Sequence, residues 1–146
     1  MKTSMCFISV TFLFVASFLC AEELRVFSNE EITGTWVNPE YTGFEYNQQK
    51  YVLTHWGYYE AYTKIVSSSP KYKGTYQIID KWTDSEGNTL YKSIVRYEGG
   101  LQYSYELGKI SKDRSTWEYA FSYINYPTEF DLNPDNAHYR IYYRQE

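Results

Sequence analysis

Tyr72-Lys73-Gly74-Thr75-Tyr76-Gln77-Ile78-Ile79-Asp80-Lys81-Trp82-Thr83 reads as a β-strand. Tyr72, Gly74, Tyr76, Ile78 and Trp82 share one face, while Lys73, Thr75, Gln77 and Lys81 share the other. Alternation with period two is what a half-buried strand imposes, because successive side chains point to opposite faces. Asp80 interrupts the apolar face and Ile79 the polar one. A β-bulge or a buried, hydrogen-bonded carboxylate near Asp80 explains both.

Outward from this strand the pattern repeats. Asp84-Ser85-Glu86-Gly87-Asn88 has hairpin-turn chemistry, with Gly87 and Asn88 able to take positive φ. The next strand sets Tyr91, Ser93, Val95 and Tyr97 against Lys92, Arg96 and Glu98, and Gly99-Gly100 turns the chain. Leu101, Tyr103, Tyr105 and Leu107 then oppose Gln102, Ser104 and Glu106; after a turn at Ser111-Lys112-Asp113 come Trp117, Tyr119, Phe121 and Tyr123. Further strands are expected at 32–37, 50–56, 58–65 and 139–144, with the register of 48–65 weakly specified because both its faces are apolar. Nowhere from Ile32 onward is there a long segment with helical apolar period. The expectation is an all-β domain of eight antiparallel strands closed as an up-and-down barrel, since closure removes unpaired edges. An open two-sheet sandwich is the alternative.

The chain opens with Lys2, an apolar run to Leu19 and the small residues Cys20-Ala21 before Glu22-Glu23. That order is a secretory signal peptide, and the apolar run is short of the roughly 20 residues of a membrane span. The expected organisation is a signal peptide at 1–21, a tether at 22–31 and the barrel domain at 32–146, in an exported, periplasmic or extracellular protein. Cleavage after Ala21 removes Lys2 and leaves 13 basic against 18 acidic side chains, hence a charge of −5. Such a mildly acidic balance argues against nucleic acid and anionic membranes as partners. Both cysteines, Cys6 and Cys20, lie in the leader, so the mature domain has no disulfide framework. Lipidation of Cys20 is the alternative fate and the one route to a membrane, although Ser17-Phe18-Leu19 departs from the usual lipobox. A monomer is expected.

Gly34-Thr35-Trp36 on the first strand, with Arg144 near the end of the last, resembles the calycin pattern of lipocalins and fatty-acid-binding proteins. The resemblance implies that Trp36 closes one barrel end beneath a late basic residue, a cation on an indole face. Exported bacterial lipocalin-like proteins are more similar still, through Gly34-Thr35-Trp36-Val37-Asn38, Lys73-Gly74-Thr75-Tyr76, residues 80–88, Tyr126-Pro127-Thr128-Glu129 and residues 139–144. The chain departs from classical lipocalins in lacking a C-terminal helix, the Thr-Asp-Tyr motif and the disulfide, so retinoid-like transport does not carry over. Strand parity sets Arg144 on the face opposite Tyr143 and Ile141, so its reach to Trp36 requires the closing strand to twist or end there. Ile32-Thr33-Gly34-Thr35-Trp36 followed by Asn38 is also similar to the first avidin strand, with Thr42 at a second ligand offset. Gly74-Thr75-Tyr76 then comes a hairpin too late, with Ile78 where that family has a ligand-binding Ser.

No zinc spacing, His-Glu-x-x-His, Walker loop or Gly-x-Ser-x-Gly elbow occurs, and the histidines His55 and His138 are isolated; no enzyme and no cofactor is expected. Asp131, Asn133 and Asp135 open like a calcium loop, but Asn136 and Tyr142 stand where Gly and Glu are needed; a solvated connection is the simpler reading. The remaining signal is 18 tyrosines, many on faces expected to point inward. Tyr76, Asp80, Tyr91, Tyr103, Tyr105, Trp117 and Tyr119 are the candidate lining of an interior site for a small amphipathic or aromatic ligand. Gly34, Trp36 and Arg144 are the candidate barrel closure. An eight-stranded barrel either fills with side chains or holds one small ligand. In a filled barrel, binding moves to a macromolecular partner on the outer strands or loops, with Tyr41, Phe44, Tyr46, Tyr58 and Tyr59 as the candidate patch.

Overall fold

The computed structural model describes residues 27–43, 47–130 and 139–146. The expected signal peptide with Cys6 and Cys20, Phe44, Tyr46, the 131–136 connection and His138 lie outside them. Eight strands follow in order: β1 (Gly34–Val37), β2 (Lys50–Leu53), β3 (Tyr58–Tyr62), β4 (Tyr72–Thr83), β5 (Thr89–Tyr97), β6 (Tyr103–Ile110), β7 (Thr116–Ser122) and β8 (Tyr139–Gln145). Each pairs antiparallel with the next, and β8 pairs antiparallel with β1. The sheet is therefore a closed, all-β, lipocalin-like barrel and not a sandwich.

Turn chemistry sets the hairpins. Between β4 and β5 the Asp84 carboxylate accepts the backbone N–H groups of Glu86 and Asn88, both at 2.9 Å, and Gly87 takes φ 88°. Between β6 and β7, Asp113 accepts from Ser111 Oγ at 2.6 Å and from the Ser115 N–H at 3.0 Å. On β4 the register shifts between Ile78 and Asp80, which is the bulge, one of the two explanations for the broken alternation. The extra residue turns Trp82 outward and leaves Asp80 exposed, so the carboxylate is not an interior group.

One barrel end is sealed as the Gly-x-Trp pattern implies. Trp36 is fully buried, its Nε1 donates to the Ile32 carbonyl at 2.7 Å, and the Arg144 guanidinium lies 4.3 Å from the ring centroid. Arg144 also donates to the carbonyls of Glu31, Thr33 and Arg114 at 2.8, 2.9 and 2.8 Å. Gly34 permits this: with φ 140°, a Cβ there would lie 2.7 Å from Arg144 Nη1. Residues 27–31, read from sequence as the end of a tether, pack on the same barrel end, where Lys81 bonds the Ser28 carbonyl and Glu31.

Two strands present the face opposite to the one their hydropathy favours. On β6, Ser104, Glu106, Gly108 and Ile110 point inward, whereas Tyr103 and Tyr105 point out and Leu101 is 97% exposed in the turn. Directly opposed residues share a face, and β6 pairs Gly108 with Tyr91, Glu106 with Ser93 and Ser104 with Val95. Once Tyr91, Ser93 and Val95 point inward, their partners must too. The apolar face of β6 is covered from outside instead, with Tyr126 5.1 Å from the Tyr105 ring. On β8, Arg140, Tyr142 and Arg144 point inward, and the direct pair Trp36–Arg144 sets the cation over the indole with no early strand end.

Candidate functional site

The interior is a column of rings. Trp117 and Tyr119 stack with centroids 4.7 Å apart, Tyr119 lies nearly parallel to Tyr142, and Tyr51 meets Trp117 and Tyr142 edge-on at 5.7 and 5.2 Å. Most of their polar atoms are used. Trp117 Nε1 donates to Tyr91 Oη at 2.6 Å, Tyr142 Oη to the Gln48 carbonyl at 2.8 Å and Tyr76 Oη to the Thr54 carbonyl. Gly108 makes the packing possible, since a Cβ there would fall 1.9 Å from Tyr91 Cζ. A strand glycine of this kind marks a close approach by another group.

Beside the rings lies an internal cavity of about 30 Å³, lined among others by Tyr51, Tyr59, Tyr97, Phe121, Ser93 and Glu106. That is room for one or two waters. Glu106 faces it from β6, and its one side-chain hydrogen bond is accepted from Ser93 Oγ on the paired β5 position, at 3.3 Å. Burial among rings pushes the Glu106 carboxyl up to about 8, against a smaller lowering by Ser93. Among the described residues the ion pairs are Lys73–Glu98, Lys81–Glu31 and Lys109–Glu118, and none reaches Glu106. A second polar group is unused by the protein: Tyr59 lines the same cavity, and its buried Oη has no hydrogen-bond partner among the described protein atoms. Ser104 Oγ, on the same inward face of β6, also has none.

Burial likewise holds the tyrosine hydroxyls protonated. Tyr51 and Tyr76 are each pushed up to about 12, and Tyr59, Tyr91 and Tyr119 are raised as well, all chiefly by desolvation. Glu106 adds a repulsive contribution to Tyr51, Tyr59, Tyr91 and Tyr119, which places the carboxyl in the midst of the phenols.

Of the residues that the sequence marks as lining, Tyr76, Tyr91, Trp117 and Tyr119 are brought together inside. Asp80, Tyr103 and Tyr105 are not. Asp80 follows the bulge outward, Tyr103 is 46% exposed with Arg96 over its ring, and Tyr105 packs on Tyr126. Glu106 and Tyr51 escape the sequence reading, Glu106 because hydropathy assigns its strand the other face; Ser93 is on the expected inner face of β5, and Tyr59, expected in an outer patch, is buried instead because it faces the rings of the interior. Gly108 and the pairing with Ser93 were the available signals. His55 lies tilted against exposed Trp56, with ring centroids 4.2 Å apart, and is not part of the cavity wall.

Outside, Tyr59 and Tyr97 also line a surface recess of about 640 Å³ with Gly74, Lys73 and Glu98. The two rings are thus the partition between recess and cavity. A different outer recess, of about 350 Å³, carries the exposed Trp56, Tyr58 and Tyr103 with Arg96. Among the described residues no cluster of His, Cys, Asp and Glu is arranged to hold a metal. Compared with protein-family models, curated proteins and solved structures, the chain matches none.

Proposed function

We propose that the protein is an exported, lipocalin-like binder of a small amphipathic ligand, taken into the barrel with its polar group on Glu106 and Tyr59. The observation that carries this reading is the pair of unmatched polar groups facing one aromatic cavity. Leaving the Tyr59 hydroxyl without a partner costs about 1–3 kcal/mol, and taking a carboxyl out of water without a cation costs more. A barrel filled for stability alone gains by replacing both with aliphatic side chains. Perturbed ionisable groups in a cavity are where binding and chemistry concentrate.

The cavity admits water, whereas pockets for drug-sized ligands measure roughly 300–1,000 Å³. The ligand is therefore very small, or it moves the Tyr97 ring aside and joins cavity to recess with Tyr59 still in contact. The test is native mass spectrometry of protein purified from its own host, followed by displacement of an environment-sensitive apolar dye. A retained small molecule that displaces the dye, with both lost on Tyr59→Trp, supports the reading. Protein that retains nothing and takes up no dye refutes it.

A second reading has its own observation. Trp56, Tyr58 and Tyr103, 76%, 59% and 46% exposed, share one recess on the outer wall. Aromatic side chains held out in water favour a macromolecular partner at the envelope. Alanine at these three positions leaves dye binding intact and abolishes partner capture if that reading holds.

A further inference from the structure

We propose that the ligand is a small primary amine, bound in its ammonium form by the Glu106 carboxylate and the faces of the surrounding rings. This rests on the interior-binding reading and names its ligand class. Three oxygen-bearing side chains line the cavity: Glu106, Ser93, whose Oγ bonds the Glu106 carboxyl, and Tyr59, whose buried Oη has no partner in the protein. A primary ammonium brings three N–H donors and no acceptor, which matches a carboxylate and hydroxyl lone pairs. Tyr51, Trp117 and Tyr119 line the same space, and their ring faces carry negative quadrupole density that attracts a cation. An anion meets the same rings and the carboxyl with the wrong sign. A neutral alcohol can hydrogen-bond Glu106 but leaves its charge unmatched.

The inward-pointing cations of β8 do not compete, and Arg144 is held at the barrel end over Trp36. Arg140 points inward from β8, but it donates to the Tyr139 carbonyl at 2.6 Å, lies 5.9 Å from the Tyr41 ring and is not part of the cavity wall. Around Glu106, Tyr97 of β5 lines the cavity, and with it stand Tyr51 of β2, Tyr59 of β3, Tyr76 of β4, Tyr91 of β5 and Tyr119 of β7, these five raised above the ordinary phenol range. Between pH 6 and 9 these phenols keep their protons, and Glu106 is the group that titrates. The empty site holds a neutral carboxylic acid at pH 6; when an ammonium enters, that proton leaves to solvent and a carboxylate–ammonium pair remains.

The experiment is calorimetric titration of the full chain with three probes of one body: phenethylamine, 2-phenylethanol and phenylacetate. It is run between pH 6 and 9 in buffers of different ionisation enthalpy. Expected is selective binding of phenethylamine, at least about tenfold tighter than either analogue, with close to one proton released at pH 6. The amine's affinity should rise about tenfold per pH unit at first and level off above about 8. Glu106→Gln should abolish the proton release, the pH slope and the preference for the amine, while Tyr59→Phe weakens the amine several-fold and keeps the proton release. If 2-phenylethanol binds as tightly as the amine and Tyr59→Trp blocks it, the amine assignment falls while interior binding stands. If no probe binds at millimolar concentration, and dye uptake also fails, both fall.

Discussion

Glu106→Gln should stabilise the protein at alkaline pH and remove most of its pH-dependent loss of stability. The carboxyl moves from an ordinary 4.5 in the unfolded chain to about 8 in the barrel. Between those values the folded state holds a proton that the unfolded state has released. The sign is therefore unfavourable to folding as pH rises: stability is full below about 4.5, falls by about 1.4 kcal/mol per pH unit, and stops falling above about 8. Over the whole window this amounts to about 5 kcal/mol, an upper bound, because water in the cavity solvates the carboxylate. Glutamine keeps the shape and the hydrogen bond with Ser93 but cannot ionise. The assay is urea denaturation followed by tryptophan fluorescence at pH 5, 7 and 9, for both proteins. Wild type should lose midpoint steadily while the variant stays level, so that the curves separate with pH. Parallel pH profiles for the two proteins would refute the placement of Glu106 inside the barrel.

Trp36→Ala should lower stability by about 3–5 kcal/mol, the cost of deleting a fully buried indole that also anchors the Ile32 carbonyl; an unchanged midpoint in chemical denaturation would exclude the end-cap role. Gly108→Ala places a methyl against the buried Tyr91 ring and should cost about 1–3 kcal/mol, read in the same assay and accompanied by altered near-ultraviolet circular dichroism from Trp117. Tyr103→Trp should leave both stability and dye binding within error, because its side chain is on the outer wall. A Tyr103→Trp variant that blocks dye uptake would return Tyr103 to the interior.

The barrel was legible because β4, β5 and β7 carry alternation strong enough to survive one bulge, and the turns at Asp84–Asn88 and Ser111–Asp113 carry local hydrogen-bond chemistry. The end cap was legible for a similar reason: Gly34, Trp36 and Arg144 form a three-body contact that leaves a residue-type signature at each position. Hydropathy failed on β6 and β8. Taken alone, a strand is assigned the face with the larger transfer free energy, and on β6 that is Tyr103, Tyr105 and Leu107. The apolar surface of Tyr105 and Leu107 is removed from water outside the barrel, by Tyr126 against Tyr105 and by the segment to Phe130 over Leu107.

What decides the inner face of β6 is pairing. Tyr91, Ser93 and Val95 fix their opposite numbers, and a one-residue slip would drive the β5 rings out and the charged side chains of Lys92 and Arg96 in. That slip costs far more than turning two tyrosines toward solvent-side neighbours. The inner face of β6 is thus made of residues that single-strand hydropathy rejects: a carboxyl, a serine and a glycine placed where apolar bulk is expected. Gly108 gives Tyr91 its space, Tyr91 orients Trp117 through its hydroxyl, and Ser93 holds Glu106 toward the cavity. Polar and small residues thus stand inside a barrel otherwise dense with rings. They locate the functional question at Glu106 and Tyr59 and not on the strand faces that hydropathy alone selects.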